Sequence, residues 1–393
     1  LFNGSNISEI FELSANGDRL RFSRNVGSIV MDTNDVEKVT LNALGGTDTI
    51  TVNDLSSTDV RDVNLNLSSF GVPGGDAQAD TIIAKGTVGD DVAVIQGSAS
   101  GTTVEGLSAK LNITGAEAQT DLLKLEMLAG DDVIDASTVG AGAIKLHLSG
   151  GDGDDVIIGS HNGDILEDGA GNDLVIGGSG NDIYILGPGD NIIIDGGGID
   201  TVRASANHTL GNSFENLELL GSAANGTGNS ANNKLTGNNS NNLLKSLAGN
   251  DTLDGGTGND TMEGGAGNDS LTGGDGNDVL IGTDPAAATF GSAERDTLVG
   301  GAGNDVFVLG IQNNSRVFYS SGGVNDFAVI TDFATGDLIQ IQSSFSNYTL
   351  RSESRVGSSS LDTAIYLTAN GANELIGVVQ DRTGLTAQAF RSV

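Results

Sequence analysis

A nine-residue repeat occupies the middle of the chain and constrains the fold more than any other feature. Six nonads run without a gap from Gly150 to Arg203, and six more run from Gly228 to Ile281. They share the pattern G-G-x-G-x-D-x-U-x, where U is a large apolar residue. The first block reads GGDGDDVII, GSHNGDILE, DGAGNDLVI, GGSGNDIYI, LGPGDNIII and DGGGIDTVR. The second reads GNSANNKLT, GNNSNNLLK, SLAGNDTLD, GGTGNDTME, GGAGNDSLT and GGDGNDVLI. A repeat of this length predicts a solenoid of stacked coils.

Each nonad combines a glycine-rich turn with a short strand. Glycine adopts left-handed backbone conformations without steric cost, so the first four positions predict a tight turn. The strand that follows carries one large apolar side chain at the eighth position. In the first block these residues are Ile157, Leu166, Val175, Tyr184, Ile193 and Val202. Because the chain reverses at each turn, successive nonads should lie on opposite faces, and every second turn should stack.

The charge of the chain selects the kind of partner. It holds 52 Asp and Glu against 18 Lys and Arg, a formal net charge of −34. Such a surface repels nucleic acid and anionic membranes and attracts multivalent cations. High charge alone would also fit disorder, but 37% hydrophobic residues at regular spacing favour a fold neutralised by metal. The absence of Cys excludes disulfides and thiolate ligands, and no apolar run is long enough for a transmembrane helix.

Stacked turns of this composition suit calcium. Calcium is a hard cation that binds roughly six to eight oxygen atoms. A glycine-rich turn can direct carbonyl oxygens inward, and its Asp adds a carboxylate, so two stacked turns supply ligands from both sides. We predict several Ca²⁺ ions. The predicted ligands are Asp155, Asp164, Asp173, Asp182, Asp200, Asp251, Asp260, Asp269, Asp278, Asp296 and Asp305.

The two-nonad period predicts which side chains share an ion. The all-Asp pairs are Asp155 with Asp173, Asp164 with Asp182, Asp182 with Asp200, Asp251 with Asp269, Asp260 with Asp278, and Asp278 with Asp296. Weaker pairs contain one Asn: Asp173 with Asn191, Asn233 with Asp251, and Asn242 with Asp260. Residues 282–299 are irregular but span two nonads, so the register should continue into GGAGNDVFV at 300–308. Ala287 then falls opposite Asp269 and Asp305, which predicts a gap there.

The flanking regions predict further strands. Residues 1–149 contain a longer duplication, VTLNALGGTDTI at 39–50 and LKLEMLAGDDVI at 123–134, which indicates a solenoid-like N-terminal region. The predicted roll covers 150–308, with nonads at 150–203 and 228–308 and an irregular coil at 204–227. Within that coil, 214–220 is predicted as a strand. Residues 309–393 lose the nonad and regain aromatic residues, which predicts a β-rich C-terminal cap.

The nonads resemble those of the repeats-in-toxin (RTX) calcium-binding family. The resemblance covers 150–308 and implies an all-β fold, a right-handed parallel β-roll in which sixth-position Asp carboxylates and turn carbonyls bind calcium. It also implies export from a bacterium by type I secretion, through an uncleaved C-terminal signal. VITDFATGDLIQI at 329–341 is similar to the strand pair that often follows such rolls. Departures from the pattern, such as Asn at 191, 233 and 242, predict uneven occupancy, strongest at 251–281.

The sequence contains no recognisable catalytic motif. His147, His161 and His208 are scattered, and neither H-E-x-x-H nor G-x-S-x-G occurs. We therefore expect a non-enzymatic, secreted structural protein that assembles with copies of itself into a matrix, surface layer or filament, with extracellular polysaccharide as a further candidate partner. The alternative is the C-terminal calcium-binding and secretion part of a larger extracellular enzyme, such as a polysaccharide epimerase, lipase or protease. Because the chain begins Leu1-Phe2-Asn3, without Met, we expect a fragment or a processed form.

Overall fold

The computed structural model describes residues 1–69, 75–285, 294–311, 316–320, 326–357, 360–368 and 373–393. Among these residues the regular elements are β-strands and short 3₁₀-helices, with no α-helix. No helix within the described ranges combines the length and apolar character needed to cross a membrane. Contacts divide the chain into two compact units, Leu1–Thr201 and Val202–Val393.

The first unit consists of short strands, numbered here in chain order. They are β1 (Phe2–Ser5), β2 (Ile10–Asn16), β3 (Arg19–Arg24), β4 (Ile29–Thr33), β5 (Lys38–Leu44), β6 (Thr49–Val52), β7 (Asp62–Asn66), β8 (Thr81–Lys85), β9 (Val92–Ser98), β10 (Gly101–Glu105), β11 (Lys110–Thr114), β12 (Leu122–Glu126), β13 (Val133–Asp135), β14 (Lys145–Asp152), β15 (Val156–Ile158), β16 (Ile165–Ala170), β17 (Leu174–Ile176), β18 (Ile183–Leu186) and β19 (Ile192–Ile194). A 3₁₀-helix covers Val26–Ser28. The next strand, β20 (Thr201–Ala204), crosses the boundary between the units.

Two largely parallel sheets build the first unit. One has the order β1-β5-β7-β11-β10-β9-β13-β15-β17-β19 and is parallel except where β10 pairs with β9 and β11. The other begins with antiparallel β4, β3 and β2 and continues in parallel through β6, β8, β12, β14, β16 and β18. Consecutive strands therefore alternate between sheets along much of the unit, as expected for a solenoid. The N-terminal duplication places its first strands, β5 and β12, in different sheets.

The second unit repeats this arrangement. Its strands are β21 (His208–Thr209), β22 (Asn216–Leu219), β23 (Asn225–Thr227), β24 (Lys234–Thr236), β25 (Leu243–Lys245), β26 (Thr252–Thr257), β27 (Thr261–Gly265), β28 (Ser270–Asp275), β29 (Val279–Thr283), β30 (Thr297–Ala302), β31 (Val306–Val308), β32 (Gly310–Ile311), β33 (Arg316–Val317), β34 (Ala328–Ile330), β35 (Leu338–Ile341), β36 (Tyr348–Glu353), β37 (Asp362–Leu367), β38 (Glu374–Val379) and β39 (Phe390–Ser392). Short 3₁₀-helices cover Phe345–Asn347 and Ala387–Ala389.

Two largely parallel sheets also build the second unit, and β32 and β33 form a separate antiparallel pair. One contains β21, β23, β25, β27, β29, β31, β35 and β39. The other runs in parallel through β22, β24, β26, β28, β30, β34 and β38, and antiparallel β37 and β36 complete it. The all-β class and the parallel β-roll predicted from the nonads are confirmed.

The core lies between the two sheets of each unit and contains the eighth-position side chains. Leu166, Val175 and Tyr184 of the first block have no exposed area, and Leu253, Met262 and Leu271 of the second are equally buried. Ile193 is only partly buried. One apolar side chain per nonad is thus enough to fill the narrow interior, and burial of this kind stabilises the stack by about 25 cal/mol per Å² of apolar surface.

The C-terminal region has its own hydrophobic cluster. The strands at 328–330 and 338–341 overlap the two ends of the predicted strand pair at 329–341. A cluster on or beside β34, β37 and β38 contains buried Phe327, Val329, Ala364, Tyr366, Leu375 and Val378. Aromatic residues replace the nonad as the source of apolar area in this part of the chain.

The strand register corrects one prediction. Between β28 and β30 the register steps by 27 residues, so the amide of Asp269 bonds to Asp296, and the amide of Asp278 bonds to Asp305. The predicted pair of Asp278 with Asp296 is wrong, because the step from β28 to β30 is one nonad longer than the regular 18-residue coil. Ala287, where a gap was expected, lies outside the described residues, and Asp269 has Asp296 as its neighbour instead.

Candidate metal centres

A ladder of hydrogen bonds connects the sixth-position residues of stacked nonads. The amide of Asp155 donates to Oδ1 of Asp173, 18 residues on, at 2.8 Å. The same bond joins Asp251 to Asp269 at 2.9 Å. The ladder contains Asp155–Asp173, Asp164–Asp182, Asp173–Asn191, Asp182–Asp200, Asn233–Asp251, Asp251–Asp269, Asn242–Asp260 and Asp260–Asp278, all 18 residues apart. The structure therefore brings together the predicted pairs other than Asp278–Asp296. That each pair shares an ion stays a prediction.

The second carboxylate oxygen of most of these residues is buried and lacks a hydrogen-bond partner among the described residues. This is the Oδ2 atom of Asp155, Asp173, Asp182, Asp251, Asp260, Asp269, Asp278 and Asp305. A buried carboxylate oxygen without a partner costs about 1–3 kcal/mol or more. Calcium binds such oxygens, so the carboxylates and the carbonyls of the same turns fit this ion, which would supply positive charge to the stacked acids.

Burial changes the protonation of these carboxylates. Desolvation raises the pKa of Asp155, Asp182 and Asp269 to about 7, against the opposing effect of the backbone amides that bond to them. Neighbouring carboxylates raise the pKa values further. At neutral pH the ionised form is therefore poorly stabilised by the protein alone. A bound cation would favour the ionised form and so oppose this effect of burial.

Two backbone conformations recur among the six-residue turns that end at these side chains. In what we call open turns, the second and fourth residues have left-handed φ angles, as at Gly151 (115°) and Gly153 (140°). Leu247, in the second position of another open turn, has φ 81°. The open turns of the nonads end at Asp155, Asp173, Asp182, Asp251, Asp260, Asp269, Asp278 and Asp305. They are the same residues whose Oδ2 lacks a partner.

In closed turns, the amide of the second residue donates to the sixth side chain. Ser160 donates to Oδ2 of Asp164 at 2.6 Å, so this predicted ligand has one oxygen engaged within its own turn. Its Oδ1 is buried and without a hydrogen-bond partner among the described residues. Asn229 and Asn238 donate in the same way to Asn233 and Asn242. None of these second residues has a positive φ.

The amides of the closed turns bond to carbonyl oxygens that could otherwise face a cation. Nδ2 of Asn242 donates to the carbonyl of Ala223 at 2.9 Å and to Oδ1 of Asn238 at 3.3 Å. Nδ2 of Asn233 makes the equivalent bonds to Phe214 and Asn229. Since an NH₂ group takes the position of the partnerless oxygen, these turns are satisfied without metal.

Three carboxylates converge at the end of the first block. Asp182, Asp195 and Asp200 each offer an oxygen, and these oxygens lie within 4.8 Å of one another. Sequence reasoning missed Asp195 because it occupies a first position, where the nonad has Gly. The hydroxyl of Tyr184 donates to Asp195 at 3.1 Å. An acidic residue in a glycine position was the available signal.

Other predicted and unpredicted acids differ from the regular pattern. Asp296 accepts a hydrogen bond from the hydroxyl of buried Tyr319, and burial raises its pKa to about 8. The amide of Asp305 donates to Asp337 at 3.0 Å, which continues the ladder beyond the last nonad. Asp168, buried in a first position, accepts from Nδ2 of Asn191 at 2.7 Å.

The comparison with known families agrees with this geometry. A family model described as RTX calcium-binding nonapeptide repeat (4 copies) matches residues 147–184, 162–193, 227–262, 254–284 and 290–315. The chain carries RTX calcium-binding repeats. The RTX matches include every open turn of the nonads and leave out most of the 204–227 coil. No match was found among curated proteins.

Proposed function

We propose that this RTX protein is a secreted structural protein that folds when calcium binds outside the cell and then assembles with further copies into a matrix, surface layer or filament. The observation that carries the proposal is the set of buried Asp side chains that end the open turns, as at Asp251, Asp269 and Asp260. Each has one oxygen bonded along the ladder and one without a hydrogen-bond partner among the described residues. Such a stack needs cations to be stable at neutral pH.

The charge of the chain supports folding after export. At −34, an unliganded chain is strongly self-repelling. Free calcium is scarce in the bacterial cytoplasm and abundant outside, and a ligand that binds only the folded state stabilises it by mass action. The chain would therefore remain unfolded during type I secretion and fold as it emerges.

The surface of β4 supports self-association. Ile29, Val30 and Met31 are 39%, 58% and 41% exposed. Consecutive exposed apolar residues on a strand favour contact with another chain. We infer that this strand contributes to contacts between copies, in which the solenoid coils of one copy stack on those of the next.

The same proposal describes a non-enzymatic protein. Two of the three histidines have structural surroundings: His147 contacts Glu167 at 3.0 Å, and burial lowers the pKa of His208. His161 lies exposed in the closed turn that ends at Asp164. Each histidine can therefore be explained by its local packing or exposure.

Far-ultraviolet circular dichroism of the full chain tests the calcium-coupled folding. Strand signal should be low in chelator and rise with added calcium. The Asp278→Asn variant should need more calcium, whereas Asp275→Asn, which removes the same charge from an exposed position in the same turn, should behave like the parent. A strand signal that does not respond to calcium would disprove the folding claim.

Electron microscopy in calcium tests the structural role. Lattices or fibres are expected from the parent chain, and the Val30→Lys variant should fold normally but assemble less. Monomers at all concentrations would refute the assembly claim and leave the calcium claim intact.

A further inference from the structure

A turn outside the matched repeats has the open conformation. In residues 127–132, the second and fourth residues, Leu128 and Gly130, have φ angles of 77° and 124°. Leu247 and Gly249 of a matched repeat have φ angles of 81° and 127°. A left-handed Leu is unfavourable by about 1–2 kcal/mol, so its occurrence at the same turn position indicates the same imposed conformation.

The sixth residue of this turn also has the bonding pattern of an open turn. Asp132 is 1% exposed, and its Oδ1 accepts a hydrogen bond from the amide of Asp91 at 2.7 Å. Its own amide donates to Oδ1 of Asp155 at 2.8 Å. Oδ2 of Asp132 is buried and has no hydrogen-bond partner among the described residues. The ladder of the nonads thus continues through Asp132.

The neighbouring turn at 150–155 stacks directly on this one. The amide of Gly130 donates to the carbonyl of Asp152 at 2.8 Å, and the amide of Asp152 donates to the carbonyl of Leu128 at 2.9 Å. A β-bridge joins Ala129 to Asp152, as another joins Ala248 to Ala266 in the matched repeats. The two stacked turns match the nonads, although 23 residues separate Asp132 from Asp155.

Closed turns mark where this arrangement ends. The amide and hydroxyl of Thr87 donate to Oδ2 of Asp91 at 2.6 and 2.9 Å, and the amide of Glu117 donates to Oδ2 of Asp121 at 2.7 Å. The turn at 43–48 is open, with Leu44 at φ 78°, but the second residue of the turn beneath it, Ser5, donates to Glu9 as in a closed turn. Only at 127–132, among the described turns before the nonads, does an open turn stack on another open turn.

We propose that the turn at 127–132 binds a calcium ion together with the turn at 150–155, with the carboxylates of Asp132 and Asp155 as ligands. This inference rests on the proposed function, in which the open turns of the nonads bind calcium. It extends calcium binding into the N-terminal region and ties that region to the first block of nonads.

Terbium luminescence can test this site separately from the others. Terbium replaces calcium at oxygen sites and emits when a nearby Trp is excited, and the chain contains no Trp. The reporters are Ala129→Trp in the proposed site, Ala248→Trp in a matched repeat, and Ala118→Trp in the closed turn at 116–121. All are made in the full chain and leave every carboxylate in place.

Sensitised emission several-fold above that of Ala118→Trp is expected from Ala129→Trp and from Ala248→Trp. Adding Asp132→Asn should remove the emission of Ala129→Trp, whereas adding Asp131→Asn, an exposed change of the same charge, should not. Emission from Ala248→Trp with none above background from Ala129→Trp would overturn the inference and leave the proposed function standing. Silence of both reporters would overturn the proposed function as well.

Discussion

The amide of Asp155 donates a hydrogen bond to Oδ1 of Asp173, while Oδ2 of Asp173 is buried and has no hydrogen-bond partner among the described residues. The two oxygens of one carboxylate thus have separate roles. One accepts the hydrogen bond that keeps stacked turns in register, and the other is available to a cation. This division predicts that the hydrogen bond between stacked turns and the binding of the ion can be disturbed independently.

Replacing Asp173 with Asn should separate these roles. Asn keeps the Oδ1 acceptor but exchanges the second oxygen for an NH₂ group, so the ladder bond remains and a calcium ligand is lost. We expect calcium affinity to fall about tenfold or more, equal to about 1.4 kcal/mol, with little change in chelator. Calcium titrations followed by circular dichroism measure this. Asp190→Asn, at an exposed position, is the matched control, and equal shifts in both variants would contradict the division of roles.

Replacing Asn242 with Asp should convert a closed turn that needs no metal into one that does. The change removes the Nδ2 donor to the Ala223 carbonyl and places a carboxylate beside Oδ1 of Asn238. We expect a loss of about 1–3 kcal/mol in chelator, partly recovered in calcium. Thermal melts in both conditions measure this. The control is Asn241→Asp, which adds the same charge at an exposed position and should lose little stability. A similar loss of stability in this control would indicate a general effect of the added charge.

Replacing Leu247 with Gly should stabilise the protein. Leu247 has φ 81° and is 49% exposed, so little packing is lost and backbone strain is relieved. After the entropic cost of Gly, a gain of about 0.5–1 kcal/mol is expected, or about 1–4 °C in Tm. Differential scanning calorimetry measures it. The Leu247→Ala variant retains the backbone strain and should show no gain in stability. A gain as large as that of the Gly variant would mean that the Leu side chain itself, and not the backbone strain, is destabilising.

Calcium-free protein should be more stable in mild acid than at alkaline pH. Desolvation raises the pKa of Asp155, Asp182 and Asp269 to about 7 in the fold, above the usual unfolded value of about 3.9. The folded state therefore holds more protons between these values, and stability is lost as pH rises towards 7. Melts in chelator should show a higher Tm at pH 5 than at pH 8. Calcium should raise Tm most at pH 8, where it no longer competes with protons for the carboxylates. A higher Tm at pH 8 than at pH 5 in chelator would contradict the raised pKa values of the buried Asp side chains.

The regular part of the fold could be predicted because each nonad repeats one pattern of residues. Gly at the turn, Asp at the sixth position and an apolar eighth residue were sufficient to identify the rungs joining Asp155 to Asp173 and Asp260 to Asp278. The nonad pattern does not show how many residues separate two stacked strands when the chain between them is irregular. Asp296 was therefore paired with Asp278 instead of Asp269.

The open turns before the nonads escaped sequence reasoning for a different reason. Leu44 and Leu128 occupy left-handed positions that normally require Gly. The segments at 39–50 and 123–134 were recognised as a duplication, but outside the nine-residue register a Leu in the second position gives no signal of a left-handed turn. The difference between Asp164 and Asp173 was likewise invisible, because it depends on whether the second amide of the turn closes onto the side chain.

The step of 27 residues between Asp269 and Asp296 affects how such a chain can change in length. Because the turns on both faces follow one nonad pattern, an extra nonad of chain lets the later turns exchange faces and still stack on a turn of the same pattern. The ladder bonds of Asp269 and Asp278 form across this longer step as they do across a regular coil. Proteins of this design can be lengthened or shortened in evolution by one nonad at a time, and not only by whole coils.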